Sequence, residues 1–214
     1  RALEVLSRED CKVSCHYVID LDGRITQMVA EHLRAWHAGV SSWADESDIN
    51  SASVGIEIHN VGHNAGYPEF PAAQMRAVLG LAADIVRRHG IRPERVLAHS
   101  DVAPGRKIDP GEKFDWALLA GRGIGLWVEP VQLDAADAGL GVGAEGERVA
   151  RVQSALRLYG YGVAMHGRLD EATATVIAAF QRHFRPARID GRIDESTEAT
   201  LQRLLGARAT GGTS

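Results

Sequence analysis

The hydrophobic pattern changes its period partway along the chain, and that change limits the fold more than any other feature. In SVGIEIHN, Val54, Ile56 and Ile58 alternate with Gly55, Glu57 and His59, the two-residue period of a strand. From Pro71 to His89 the apolar residues fall instead at Met75, Val78, Leu79, Ala82, Ile85 and Val86, steps of three and four that predict an amphipathic helix. Pro71 stands near its start, Arg87, Arg88 and His89 in its last turn, and Gly90 just past its end, as helix termini prefer. An earlier segment, KVSCHYVID, also alternates, with Val13, Cys15, Tyr17 and Ile19 on one face and Ser14, His16, Val18 and Asp20 on the other. Asp22-Gly23 then supplies a hairpin turn before RITQMVA. A helix over Ala2–Glu9, a loop from Gly62 to Pro71, a short strand over Arg95–His99 and a helix around Trp116–Ala120 complete the pattern. Strands and helices interleaved in this way predict an α/β domain, a mixed central sheet flanked by helices.

The texture shifts after that domain. EPVQLDAADAGLGVGAEG carries four glycines and no long periodic segment, and reads as a linker. Then Gly167-Arg-Leu-Asp-Glu-Ala-Thr173 recurs 24 residues on as Gly191-Arg-Ile-Asp-Glu-Ser-Thr197. In each copy a Gly turn leads to an Asp suited to cap the next helix, with a Glu at the positive end of its dipole. Helices near Glu147–Leu158, Glu171–His183 and Glu195–Leu205 would form a small all-α three-helix domain, since a solenoid needs about three repeats or more. The predicted division is residues 1–128, a linker over 129–146, and the helical domain over 147–207.

Composition removes several functions. No apolar run approaches the ~20 residues that cross a bilayer. Lys+Arg 24 against Asp+Glu 28, a net charge of −4 with no basic block, argues against nucleic acid as a partner. Two cysteines in 214 residues cannot make a disulfide scaffold, and Cys11 and Cys15 lack C-x-x-C spacing. Cys15 and His16 face opposite sides of their strand, so they form no nucleophile–base dyad, and Cys15 is expected as a small buried hydrophobe. The chain opens at Arg1 with no initiator Met and no signal segment, so a processed form or a fragment is expected.

The chemistry concentrates in AHSDVAPGRKIDPG. His99 and Asp109 bracket a Pro/Gly-rich loop that could return one nitrogen and one oxygen ligand to a single cleft, and a catalytic zinc takes three protein ligands of that kind. By spacing alone a structural pair remains open, as do a solvated Glu57 and an exposed Lys107. The whole string is more specific. With SCHYVIDLDGRI, RAWHAGVSSW, SVGIEIHN and, in the helical domain, AFQRHFRPARIDGRIDESTEATL, it resembles the zinc-dependent N-acetylmuramoyl-L-alanine amidases of type 2. The likeness is greatest to Gram-negative outer-membrane lipoprotein members that carry a C-terminal peptidoglycan-binding domain.

The resemblance implies roles by position. His99 and Asp109 match two of the three zinc ligands, and Glu57 the carboxylate that activates water. Lys107 matches the cation that supports the oxyanion, and Trp36, His37 and Asn60 fall where the substrate cleft is lined. A first zinc-ligating His is expected on a strand upstream of Arg1, which would leave this chain with an incomplete metal site; His16 is a weak substitute, because SCHYVID matches a later strand whose His is not the family's primary ligand. Peptidoglycan and muropeptides are the implied partners, a monomer the implied state, and the periplasm or outer membrane the implied location, with any signal or lipid anchor upstream. Two other functions stand beside amidase action: a wall-binding module without turnover, and a cysteine peptidase using Cys15.

Overall fold

A computed structural model describes residues 13–211. The helix expected over Ala2–Glu9 lies outside these residues. The described chain divides into two compact units, residues 13–41 with 46–91, and residues 42–45 with 92–211.

The first unit is built on three short strands, β1 (Tyr17–Ile19), β2 (Ile25–Gln27) and β3 (Ile56–Ile58), in the order β2-β1-β3. β1 pairs antiparallel with β2, Val18 opposite Thr26, and parallel with β3, Val18 opposite Glu57, which makes the sheet mixed. The hairpin between β1 and β2 closes at the expected turn, Gly23 N–H donating to Asp20 O at 2.9 Å. The alternation in KVSCHYVID places Cys15, Tyr17 and Ile19 on one face and His16 and Val18 on the other, but burial does not follow it. Instead Cys15, His16, Tyr17, Val18 and Ile19 are all buried, because a central strand covered on both sides hides both sets of side chains.

α1 (Ile49–Ala52) is a single turn, and α2 (Ala72–His89) is the long helix the sequence predicts. Met75, Val78, Ala82 and Ile85 form its buried stripe, and α2 lies against β1. Gly90 ends it in the left-handed conformation, its N–H donating to Val86 O. Gln74 breaks the apolar pattern usefully: fully buried, it donates to Ile19 O at 3.1 Å and His59 O at 2.8 Å, joining the ends of β1 and β3 to α2.

The second unit carries a 3-10 turn at Pro93–Arg95, then α3 (His99–Val102), α4 (Trp116–Ala120), α5 (Glu147–Tyr159), α6 (Glu171–Phe184) and α7 (Glu195–Gly211). The strand expected over Arg95–His99 does not form. Pro93 starts the 3-10 turn, and the Asp101 carboxylate takes the Ala98 N–H at 2.8 Å, so a helical turn begins where the strand was expected to end. α5, α6 and α7 are the three predicted helices, packed around Val152, Leu156, Leu169, Ile177, Phe180, Phe184, Ile193 and Leu201.

Both copies of the echoed motif cap as predicted. Asp170 accepts from Thr173 N–H at 2.8 Å and Asp194 from Thr197 N–H at 2.6 Å. The echo extends to residues its spacing conceals. Gln153 on α5 accepts from Gly167 N–H and donates to Arg168 O and Thr173 Oγ1; Gln181 on α6 does the same with Gly191, Arg192 and Thr197. Each helix therefore fixes the turn that starts the next. The segment read as a linker lies along these helices: Leu140 pairs with Ile193 in a β-bridge, Ser196 Oγ donates to Val131 O, and Arg192 donates to Gly139 O.

Candidate active site

His99 is the first residue of α3, and the chain returns from there to Asp109 through a tight loop. Ser100 N–H donates to Asp109 O at 3.1 Å, while the Arg106 and Lys107 N–H groups both donate to Ala103 O, at 3.2 and 3.1 Å. The fold-back leaves His99 Nδ1 2.9 Å from Asp109 Oδ2, with Arg106 Nη2 3.4 Å from His99 Nε2. The Asp109 side chain is 55% exposed and that of His99 19%, so the pair is half-buried, with the carboxylate on its outer side. Burial works against ionisation of Asp109, but the His99 hydrogen bond and charge, aided by Lys107, outweigh it and hold the carboxyl below its ordinary range. Asp109 is thus an anion, and the neighbouring nitrogen and oxygen donors are of the kind a catalytic metal takes. Among the described residues no group of three or more His, Cys, Asp or Glu side chains is placed to hold a metal ion.

The remaining predicted site residues lie in the first unit. Glu57 occupies the centre of β3 and is exposed. Trp36 is 57% exposed, with the Arg34 guanidinium 4.8 Å from its ring centre. His37 is held through its backbone, its N–H donating to Asn50 Oδ1 at 2.9 Å, and its ring leans on Gly55, where an added Cβ would fall 2.3 Å from Cγ. Only glycine allows that approach, so His37 packs directly on the residue that leads into β3. Asn60 spans its own loop, donating to Pro68 O at 3.0 Å and accepting from Gly62 N–H at 2.9 Å.

His16 does not serve as a substitute ligand. Its Nδ1 accepts the Gly55 N–H at 3.0 Å and its Nε2–H donates to Leu33 O at 3.0 Å, so both ring nitrogens are committed to backbone. Cys15 is 2% exposed, and burial, then the Glu57 charge, pushes its thiol up to about 11. The thiolate is the nucleophile, so this cysteine is inert and the peptidase reading loses its support. Trp43 and Trp116 are buried, as are Tyr159, Tyr161, Phe180 and Phe184, in keeping with core roles.

One group escaped the sequence reading. Asp101, inside a segment that looked like a polar loop, is fully buried, and its carboxylate accepts from Ala98 N–H, from Tyr161 Oη–H at 2.7 Å and from His183 Nδ1–H at 2.6 Å. No local signal distinguishes it from an exposed helix-start Asp, because two of its donors come from 60 and 82 residues away.

Comparison with known proteins agrees with the resemblance. Residues 2–112 match the N-acetylmuramoyl-L-alanine amidase family model, and residues 145–201 a peptidoglycan binding domain model. The chain is 38% identical over 208 residues to the N-acetylmuramoyl-L-alanine amidase AmiD of Escherichia coli K12, covering 92% of this chain and 75% of that protein. The structure of E. coli AmiD with the substrate anhydro-N-acetylmuramic acid-L-Ala-D-γ-Glu-L-Lys superposes with a TM-score of 0.80 at 38% identity, over 96% of this chain and 83% of that one. AmpDh3 of Pseudomonas aeruginosa in complex with an anhydromuramic pentapeptide gives a TM-score of 0.79 at 36% identity, over 96% and 86%. With the family model spanning just over half of its length and a relative this similar along most of its own, the chain belongs to the type 2 N-acetylmuramoyl-L-alanine amidases and is an amidase.

Proposed function

We propose that this chain cleaves the amide between the lactyl group of N-acetylmuramic acid and L-alanine in peptidoglycan fragments, anhydro-muramyl peptides among them, with zinc held by His99 and Asp109. The observation that carries this reading is the 2.9 Å approach of His99 Nδ1 to Asp109 Oδ2, inside the segment matched by the amidase model. An imidazole and an ionised carboxylate side by side fit zinc's preference for nitrogen and oxygen donors. A zinc ion held by His99 and Asp109 would supply Lewis-acid polarisation of the scissile carbonyl and would acidify the attacking water.

The chain's own residues do the rest. Glu57 takes the proton of the attacking water and returns it to the departing L-alanine nitrogen, which must leave as a neutral amine. Lys107 places positive charge against the oxyanion of the tetrahedral stage, a contribution on the order of 3 kcal/mol when one such donor is lost. Trp36 and His37 line the approach of the glycan or stem, and Asn60 shapes its border by fixing its loop.

The helical domain binds the wall and raises the local concentration of cleavable bonds. With wall as both substrate and anchor, the enzyme works in the cell envelope, in the periplasm or at the outer membrane, in wall turnover or recycling. Mass spectrometry of the products from a purified anhydro-muramyl tripeptide tests the reading. Free tripeptide and anhydro-N-acetylmuramic acid are expected, and Glu57→Gln is expected to lose at least about a hundredfold in kcat, at the low end for a general base. Cleavage at a peptide bond within the stem, or an unimpaired Glu57→Gln, would contradict it.

A further inference from the structure

Asp101 is two residues beyond His99 on the single turn of α3, and two of the three donors to its buried carboxylate belong to the C-terminal segment. Tyr161 follows α5 directly, and its hydroxyl reaches Oδ1 at 2.7 Å; His183, on α6, reaches Oδ2 at 2.6 Å. The third donor, Ala98 N–H, belongs to the residue before His99. The His183 ring is itself fixed, stacked on Trp116 at 3.9 Å between centres. Burial, then the Asp101 charge, pushes the Tyr161 hydroxyl well above its ordinary pKa, so it stays a donor.

Two other contacts hold the same turn and loop. Val102 O accepts from Ser42 N–H at 2.9 Å, while Ala44 N–H donates to Gly160 O at 2.8 Å, so one short segment joins the end of α3 to the end of α5. Gly105, in the loop leading to Lys107 and Asp109, lies against α6, where an added Cβ would fall 2.8 Å from Thr175 Cγ2. A four-residue helix has almost no stability of its own, so its position is whatever its tertiary contacts impose.

We propose that Asp101 is a positioning residue through which the C-terminal helices hold His99 in the geometry its ligand role requires, so that the helical domain is part of the metal centre's framework as well as a wall anchor. This rests on the reading of His99 and Asp109 as metal ligands. The outer partners of metal ligands set affinity, and their loss typically weakens metal binding about 10–100-fold. Asp101 acts one step further out, through the turn, so an effect near the lower end is expected.

The test uses the full-length protein and the variants Tyr161→Phe and His183→Gln, alone and combined. Zinc affinity is read by chelator competition, and kcat and KM are measured on a soluble anhydro-muramyl tripeptide, which needs no anchoring to the wall. Zinc affinity about tenfold weaker in the double variant, and kcat lowered with KM little changed, support the proposal. A folded double variant with unchanged zinc affinity and kcat overturns it. Should the double variant unfold, hydrogen exchange at the Ala98 and Ser100 amides of Tyr161→Phe, which lacks a single hydroxyl, decides: faster exchange supports the proposal and unchanged exchange overturns it. If the unsubstituted protein neither binds zinc nor cleaves, the functional reading fails on its own; the metal-free exchange measurement still reports whether the helices hold the turn.

Discussion

A histidine's chemistry depends on what its two nitrogens already hold, and His16 is the clearest case. With Nδ1 and Nε2 both bonded to backbone, it joins Gly55, before β3, to Leu33 and offers no lone pair to a metal. His16→Ala is therefore expected to lower stability by about 1–3 kcal/mol, the cost of leaving a buried donor and acceptor unpaired, with zinc stoichiometry unchanged. Urea denaturation and metal analysis of the same sample check both halves. Cys15 titrates by the same logic. Burial and the Glu57 charge raise its thiol to about 11, above the ~8.5 of an unfolded chain, so folding favours the protonated form. Its contribution to stability is fully present below about pH 8.5 and is lost as pH climbs towards 11. In a Cys11→Ser background at pH 8, iodoacetamide is expected to leave Cys15 unmodified in the native protein and to alkylate it after unfolding.

At the scale of the elements, the echoed motif shows how one sequence position carries two energies. Asp170 is a partly exposed cap, and Asp170→Ala is expected to cost about 1 kcal/mol. Asp194 caps α7 in the same way but is buried, and its carboxylate also pairs with Arg188 and, at 3.0 Å, with buried Arg185. Removing it leaves an uncompensated cation inside, so Asp194→Ala is expected to cost about 3–5 kcal/mol. Chemical denaturation of the two variants side by side measures the difference; equal losses would refute the distinction. Both caps were legible because a cap is local: Gly, Asp and Glu within five residues suffice. Gln153 and Gln181 were not, because they stand 28 residues apart while the motifs they hold stand 24 apart, so the helices they sit on hide the echo. The strand expected over Arg95–His99 failed for a related reason. Val96 and Leu97 alternate too briefly to outweigh a turn at Pro93 and a capping Asp101 whose burial is decided far along the chain.

For the molecule as a whole, periodicity identified β1, β3, α2 and the three C-terminal helices, and the pair His99 and Asp109 came from a motif string long enough to be specific. What sequence concealed is how much of the second unit is one packed body. Residues 129–146, glycine-rich and aperiodic, are fastened by Glu129 O to Arg203, Val131 to Thr200 and Ser196, and Asp137 to Glu195. Limited proteolysis of the native protein is accordingly expected to spare this segment until the helices unfold, although its composition invites cleavage. Amide hydrolysis at a metal held by His99 and Asp109 is put to the test by dialysing the protein against a chelator, restoring zinc, and following anhydro-muramyl tripeptide turnover alongside His99→Ala. Activity that disappears on chelation, returns with zinc and is never restored in His99→Ala is the predicted result. Turnover that survives chelation, or that persists in His99→Ala, would rule out a metal at this pair.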